Sequence, residues 1–113
     1  MEHEALLVKR LIREACEKAQ GKPILEVKIV AAKCANVDEG LLRFYWDQYA
    51  ADTVCHGARI KFQKVPFIQK CPYCGHVFPA RKQNAACPHC RAEHTATLMG
   101  DECALIEDVV AVA

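Results

Sequence analysis

A small α+β fold is predicted for this chain: a three-stranded sheet, two helices and an inserted four-cysteine module. Three observations carry the prediction. An amphipathic repeat of helical period opens the chain, and three segments have strand character. All of the paired cysteines fall between the second and third of those segments. At 113 residues the chain is one domain, or one small domain with an insertion. A chain of this size buries roughly two-thirds of its unfolded surface, enough for a modest core.

The first helix begins near Glu4, where Ala5, Val8, Ile12, Ala15 and Ala19 recur at helical spacing and Leu11 and Cys16 widen the apolar stripe. Lys9, Arg10, Arg13, Glu14, Glu17 and Lys18 take the opposite face, and Gly21 followed by Pro23 stops the helix. Residues 24–31 then alternate, with Leu25, Val27, Ile29 and Ala31 on one side and Glu26 and Lys28 on the other: a strand with one covered face. Asn36 with Glu39 reads as a capping box before a second helix that contains Leu41, Leu42, Phe44, Tyr45, Trp46 and Tyr49. So many aromatic residues suggest a helix laid across a sheet. Gly57 opens a second strand in which Ala58, Ile60 and Phe62 alternate with Arg59, Lys61 and Gln63. Pro66 marks the departure into the insertion, Gly100-Asp101 is a turn, and residues 103–112, rich in Val, Ile and Leu, form a third strand paired with the earlier two. The expected division is an α/β domain from residues 1–64 and 98–113, with residues 65–97 inserted.

Within the insertion, Cys71, Cys74, Cys87 and Cys90 form a Cys-x-x-Cys, twelve-residue, Cys-x-x-Cys array. Each pair straddles a tight turn, Cys71-Pro-Tyr-Cys74-Gly and Cys87-Pro-His-Cys90, so that two thiolates can converge on one metal. Two such turns at zinc-ribbon spacing favour zinc over two redox dithiols or two disulfides. Four thiolates leave no open coordination position, so the zinc is structural and not catalytic. His76, His89 and His94 lie in or near these turns, either as solvated loop residues or as a replacement for one thiolate at low pH. The other cysteines, Cys16, Cys34, Cys55 and Cys103, are scattered among apolar neighbours without paired spacing and read as buried, inert thiols of a reducing compartment.

Net charge is only +1, but residues 59–94 hold seven basic residues against one acid, Glu93. A four-thiolate zinc site contributes about −2 and tempers that basic arm. A mildly basic solvated face is the plainer explanation. The alternative function is a zinc-ribbon nucleic-acid-binding protein using arm 59–94. No apolar run approaches the roughly 20 residues needed to span a bilayer, and no signal-peptide pattern opens the sequence, so a cytoplasmic location is expected. There are no paired carboxylates, no nucleophile beside a base and no phosphate-cradling glycine loop, so the chain does not read as an enzyme.

The chain starts Met1-Glu2-His3-Glu4. A free amine with histidine in third place is a chelate: the α-amine, the deprotonated amides of Glu2 and His3 and the His3 imidazole can lie in one plane around one ion. Four planar nitrogen donors suit Ni(II) or Cu(II), whereas Zn(II) has no tetragonal preference.

Taken together, these parts resemble the HypA/HybF family of hydrogenase maturation nickel metallochaperones over nearly the full length of the chain. Family members start Met-His-Glu and continue through a helix and a strand to a segment like residues 36–44, Asn-Val-Asp-Glu-Gly-Leu-Leu-Arg-Phe. A Gly-Ala-x-hydrophobic-x strand and Val65-Pro66 then lead into the two Cys-x-x-Cys motifs, and Gly100-Asp101-Glu102 and the tail close the pattern. The resemblance implies an α/β nickel-binding domain and an inserted zinc domain holding Zn(II) on Cys71, Cys74, Cys87 and Cys90. It implies transient Ni(II) cargo, bound at Met1, Glu2, His3 and Glu4 and delivered with a HypB-type GTPase to the large subunit of a NiFe hydrogenase, with urease as another client. No nucleic acid and no membrane is expected as partner; a homodimer through a terminal edge strand is allowed. The nickel site departs from the family, because Glu2 moves the histidine from second to third place. With histidine third the terminus supplies four nitrogens alone, and a square-planar site is expected. Glu2 should also keep Met1 in place, since methionine removal generally needs a small second residue; with Met1 removed the chain would begin Glu-His-Glu and histidine would return to second place.

Overall fold

A computed structural model of the chain describes residues 2–33, 37–99 and 104–112, with the backbone alone at Glu2 and His3. The chain divides into two compact units, one of Met1–Ile29, Val37–Gln63 and Leu105–Ala113 and one of Val30–Asn36 and Lys64–Ala104. The α+β class is as the sequence predicts: two helices and small sheets among the described residues.

In the first unit, helix α1 (Glu2–Ala19) buries Leu7, Val8, Leu11, Ile12, Ala15 and Ala19. Leu7 is a member of the stripe that the sequence reading passed over. Each large aliphatic side chain so buried stabilises the fold by about 1.5–3 kcal/mol. The helix ends in a Schellman turn: Gln20 N–H donates to Glu17 O (3.2 Å) and Gly21 N–H to Cys16 O (3.4 Å). Gln20 itself holds the left-handed conformation (φ 54°), where glycine is the usual occupant, and Gly21 follows at φ 79°.

Strand β1 (Ile24–Ala32) is the middle strand of a sheet ordered β2-β1-β6, with β2 at Arg59–Val65 and β6 at Ala104–Ala111. Its central position corrects the one-face expectation. Ile29, Val30, Ala31 and Ala32 are all buried, while Leu25 is 54% exposed and Ile24 is buried in its stead. A middle strand can be covered on both faces, so strict alternation is lost. Glu26 pairs with Lys61 of β2 (3.7 Å) and Lys28 with Glu107 of β6 (2.8 Å). Both pairs are partly exposed and serve register more than stability. Glu107, hydrogen-bonded to Lys28, holds that ammonium above its ordinary pKa.

Helix α2 (Glu39–Tyr49) is capped by Asp38, whose carboxylate accepts the Leu41 N–H at 3.0 Å. The expected cap, Asn36, lies outside the described residues, and the capping carboxylate comes two positions later. α2 packs against α1, burying Leu42 and Trp46. Its remaining aromatics are largely at the surface, with Phe44 53% exposed and Tyr45 stacked on Tyr49 at 5.9 Å. The segment after α2 is a run of hydrogen-bonded turns that ends at Gly57 (φ 76°) and ties back to β1 through Ile24 N–H to Val54 O (2.9 Å). Here Cys55 is fully buried and its sulfur lies 3.7 Å from that of Cys16. These two thiols are therefore not scattered; Cys34 and Cys103 lie outside the described residues.

The second unit contains a small antiparallel sheet ordered β4-β3-β5, with β3 at Phe67–Lys70, β4 at Val77–Ala80 and β5 at Ala96–Thr97. Pro79 sits in β4, an edge strand, where a missing N–H is tolerated. Register runs from Phe67 opposite Ala80 to Lys70 opposite Val77, and Gln69 faces Thr97. Cys71, Phe78 and Cys87 form its buried centre, with Ala80, Ala85 and Ala92 packed around them.

Candidate metal centre

The β3–β4 hairpin delivers the first pair of cysteines. Cys71 directly follows β3, and the six residues 71–76 are the hairpin's connection. Cys71 N–H donates to His76 O and Gly75 N–H to Cys71 O, both at 2.9 Å, with Gly75 at φ 76°. Residues 87–92 repeat this geometry: Cys87 N–H donates to Ala92 O and Arg91 N–H to Cys87 O, again at 2.9 Å, with Arg91 at φ 66°. The two turns are thus the same device used twice. In each, a left-handed residue after the second cysteine swings the chain so that both sulfurs point inward. Glycine fills that position in the first turn and arginine, at some conformational cost, in the second.

The turns bring all four sulfurs together. Cys71 Sγ is 3.4 Å from Cys90 Sγ, and Cys74 Sγ is 3.6 Å from Cys87 Sγ. All four lie within 4.8 Å of one another. A tetrahedral zinc–thiolate centre, with bonds near 2.3 Å, has sulfur–sulfur edges of about 3.8 Å. The donor set and its separations therefore fit a four-coordinate soft or borderline cation. Cys71 and Cys87 are buried, whereas Cys74 and Cys90 face solvent.

Backbone N–H groups converge on the buried sulfurs, as a negatively charged centre requires. Cys74 N–H points at Cys71 Sγ, and His89 and Cys90 N–H both point at Cys87 Sγ, each at 3.4 Å. The N–H of Cys74 is the main cause that holds the Cys71 thiol down to about 6. Burial pushes Cys87 up, but the N–H groups of Cys90 and His89 outweigh it and leave its thiol below the ordinary value. The opposite balance holds for the outer pair. His76 N–H lowers Cys74, yet burial and the neighbouring sulfurs hold it up to about 12; Ala92 N–H lowers Cys90, and the Cys71 sulfur with burial leaves it raised. Without a cation, four clustered sulfurs cannot all carry charge, and the outer two hold their protons more tightly than the inner two.

A buried polar network that the sequence reading missed braces this frame. Gln69, fully buried on β3, donates through Nε2 to Thr95 O (3.2 Å) and Thr95 Oγ1 (3.1 Å), and its Oε1 accepts from Thr97 Oγ1 (2.5 Å). Thr95 in turn donates through Oγ1 to Ala85 O (2.6 Å), and its N–H donates to Asn84 Oδ1 (3.2 Å). Only the strand register, which places Gln69 opposite Thr97, reveals it.

The histidines have distinct surroundings. His76 stacks on Phe78 at 5.7 Å and lies 5.5 Å from the His89 ring, whereas His94 Nδ1 is engaged with Asn84 Nδ2 at 2.9 Å. At the amino terminus, Met1 and the side chains of Glu2 and His3 lie outside the described residues. The backbone of Glu2 and His3 belongs to the first turn of α1, and Glu4 is 8% exposed. No described helix is long and apolar enough to cross a membrane.

Comparison with known proteins agrees with this architecture. The family model described as "Hydrogenase/urease nickel incorporation, metallochaperone, hypA" matches residues 1–110. A hydrogenase maturation factor HypA from Geobacter sulfurreducens is 32% identical over 101 residues, covering 88% of this chain and 91% of the relative. One from Dehalococcoides mccartyi strain 195 is 29% identical over 96 residues, covering 85% and 80%. The solution structure of the Ni metallochaperone HypA from Helicobacter pylori superposes with a TM-score of 0.61 at 18% identity, covering 97% of both chains.

Proposed function

The chain belongs to the HypA family of hydrogenase/urease nickel-incorporation metallochaperones, which are maturation factors and not enzymes, and from that premise we propose that it carries Ni(II) at its amino terminus and a structural Zn(II) on Cys71, Cys74, Cys87 and Cys90. In this reading residues 1–64 and 98–113 handle nickel, residues 65–97 are held by zinc, and the cargo passes to the large subunit of a NiFe hydrogenase with a HypB-type GTPase. The protein acts in the cytoplasm. The observation that supports it best is the family match over residues 1–110, which spans both the His3 terminus and the four-cysteine module.

Zinc, when bound, supplies charge that lets all four thiolates ionise together and fastens the two turns. The Cys74, His89 and Cys90 N–H groups pre-orient Cys71 and Cys87, so the chain's own backbone offsets part of the negative charge. The nickel ligands are the α-amine of Met1, the amides of Glu2 and His3 and the His3 imidazole. A helix N-terminus carries partial positive charge and disfavours a bare dication. Two deprotonated amides bring the complex to neutrality, which suits that location. The first-turn amides are also the ones a helix leaves without internal partners. Coplanar peptide units cannot coexist with helical φ/ψ, so nickel loading unwinds the turn before Glu4.

The test is a Ni(II) titration followed by absorption, on untagged protein, on His3→Ala and on protein extended by a few residues before Met1. The expected result is a yellow square-planar band that saturates at one equivalent and disappears in both variants. Stoichiometric nickel retained by His3→Ala, or a six-coordinate spectrum in the unmodified protein, overturns this assignment.

A further inference from the structure

We propose that Cys16 and Cys55 form a dithiol modification site that peroxide closes to an intramolecular disulfide, fastening α1 to the turns that follow α2. The two sulfurs are 3.7 Å apart although the residues are 39 positions apart in sequence. Reaching bonding distance, about 2.05 Å, takes roughly 1.6 Å of sulfur movement shared between the two side chains. Both backbones are already anchored by hydrogen bonds. Cys16 lies in the last turns of α1, whose end is fixed by the Schellman bonds from Gln20 and Gly21. Cys55 is held by its own N–H to Thr53 Oγ1 (3.0 Å) and by Ala58 N–H to its carbonyl (3.0 Å).

The two thiols have unequal surroundings, and that divides the chemistry between them. Cys16 is half-buried and reachable from solvent; Cys55 is fully buried, its sulfur 3.9 Å from Ile12 O. Burial first, and the Cys16 sulfur second, push the Cys55 thiol up to about 12, so it stays protonated. Cys16 is then the sulfur that attacks. Its thiolate takes one oxygen from hydrogen peroxide as the O–O bond breaks, giving a sulfenic acid and hydroxide. The Cys55 sulfur attacks the sulfenic sulfur, the S–S bond forms, the S–O bond breaks, and the Cys55 proton leaves with that oxygen as water. Two thiols and one peroxide yield one disulfide and two waters, and a dithiol reductant reverses the change. The plain alternative is a packed pair of small apolar side chains sharing a weak S–H···S contact, with no reactivity. No metal ligand takes part.

The experiment uses the full zinc-loaded chain, treated with hydrogen peroxide, alkylated, digested without reductant and mapped by mass. A cross-linked peptide joining Cys16 and Cys55 is expected, two hydrogens lighter than the separate peptides and cleaved by a dithiol. Closing a loop of this length raises the thermal midpoint by on the order of 10 °C. Cys16→Ser loses the link and the shift; Cys55→Ser leaves a sulfenic acid at Cys16 that dimedone traps. The proposal is overturned if both cysteines remain alkylatable while other cysteines oxidise. It is equally overturned if Cys16 proceeds to sulfinic acid in the unmodified protein without forming the link. Mapping of the unmodified protein decides the matter even if Cys55→Ser fails to fold.

Discussion

Gln69→Leu should weaken zinc binding by about 30-fold, although Gln69 is not a metal ligand. The side chain is fully buried and makes three hydrogen bonds, two to Thr95 and one from Thr97. At about 1 kcal/mol net for each, their loss costs up to about 3 kcal/mol. Part is recovered because Thr97 is only half-buried and its hydroxyl can turn to water, and because leucine fills much of the space; about 2 kcal/mol remains. Structural zinc binding and folding of the ribbon are one equilibrium, so the loss appears in the apparent metal affinity, about tenfold per 1.4 kcal/mol. The assay is competition against a chromophoric chelator of known zinc affinity. Thr97→Val removes one bond at a half-buried site and should cost about fivefold. The double variant should fall close to Gln69→Leu alone, since the removed bond is shared. A Gln69→Leu protein within threefold of the unmodified one would show that the network does not brace the metal site.

Three further outcomes are expected. Cys74→Ser should abolish stoichiometric zinc and unfold the ribbon, since such sites supply on the order of 10 kcal/mol, while α1 helicity by circular dichroism persists; a folded, zinc-loaded Cys74→Ser protein would contradict the four-ligand assignment. Zinc affinity should rise with pH, because binding strips the protons that Cys74, held up to about 12, and the raised Cys90 retain at neutrality. The two outer protons alone give about 100-fold per pH unit, and the slope steepens wherever an inner thiol also protonates, as Cys71 does below about 6. A chelator titration repeated between pH 5.5 and 8 reads the slope, and a flat profile would mean that the thiols are already ionised. Gln20→Gly should raise thermal stability by about 0.5–1 kcal/mol, because the residue already holds φ 54°; an unchanged or lower midpoint would place the strain elsewhere.

The legible parts of this fold are those in which one period governs a long segment. α1 declares itself through the Val8–Ile12–Ala15–Ala19 spacing, and its stop through Gly21 and Pro23. β2 and β6 were visible as alternating and apolar runs. β1 was legible as a strand but not in its facing, because a middle strand buries consecutive residues and Leu25 could not be told from Ile24. The cap of α2 was misplaced because Asn36 and Asp38 are both good caps, and only the carboxylate that reaches Leu41 N–H decides between them. The convergence of the four sulfurs was written in the cysteine spacing. Its supports were not: Gln69 is a polar residue in a four-residue strand, and its burial depends on a partner 28 positions away. The same holds for Cys16 and Cys55, which no spacing rule could join.

The Schellman turn at Gln20 and Gly21 also sets the direction in which α1 can respond to the metal proposed at its amino terminus. With 18 residues the helix is about 27 Å long. Its far end is pinned by that turn and, after Pro23, by the bond from Ile24 to Val54, and from Glu4 through Val8 one face is already packed away. If nickel loading uncoils the residues before Glu4, as proposed, it cannot slide or rotate the rod behind them. The helix acts as a fixed mast and the terminus as a short tether at its tip. On that proposal capture and release alter only the few residues at the tip, and a mutation at the pinned end should change stability while leaving metal uptake alone.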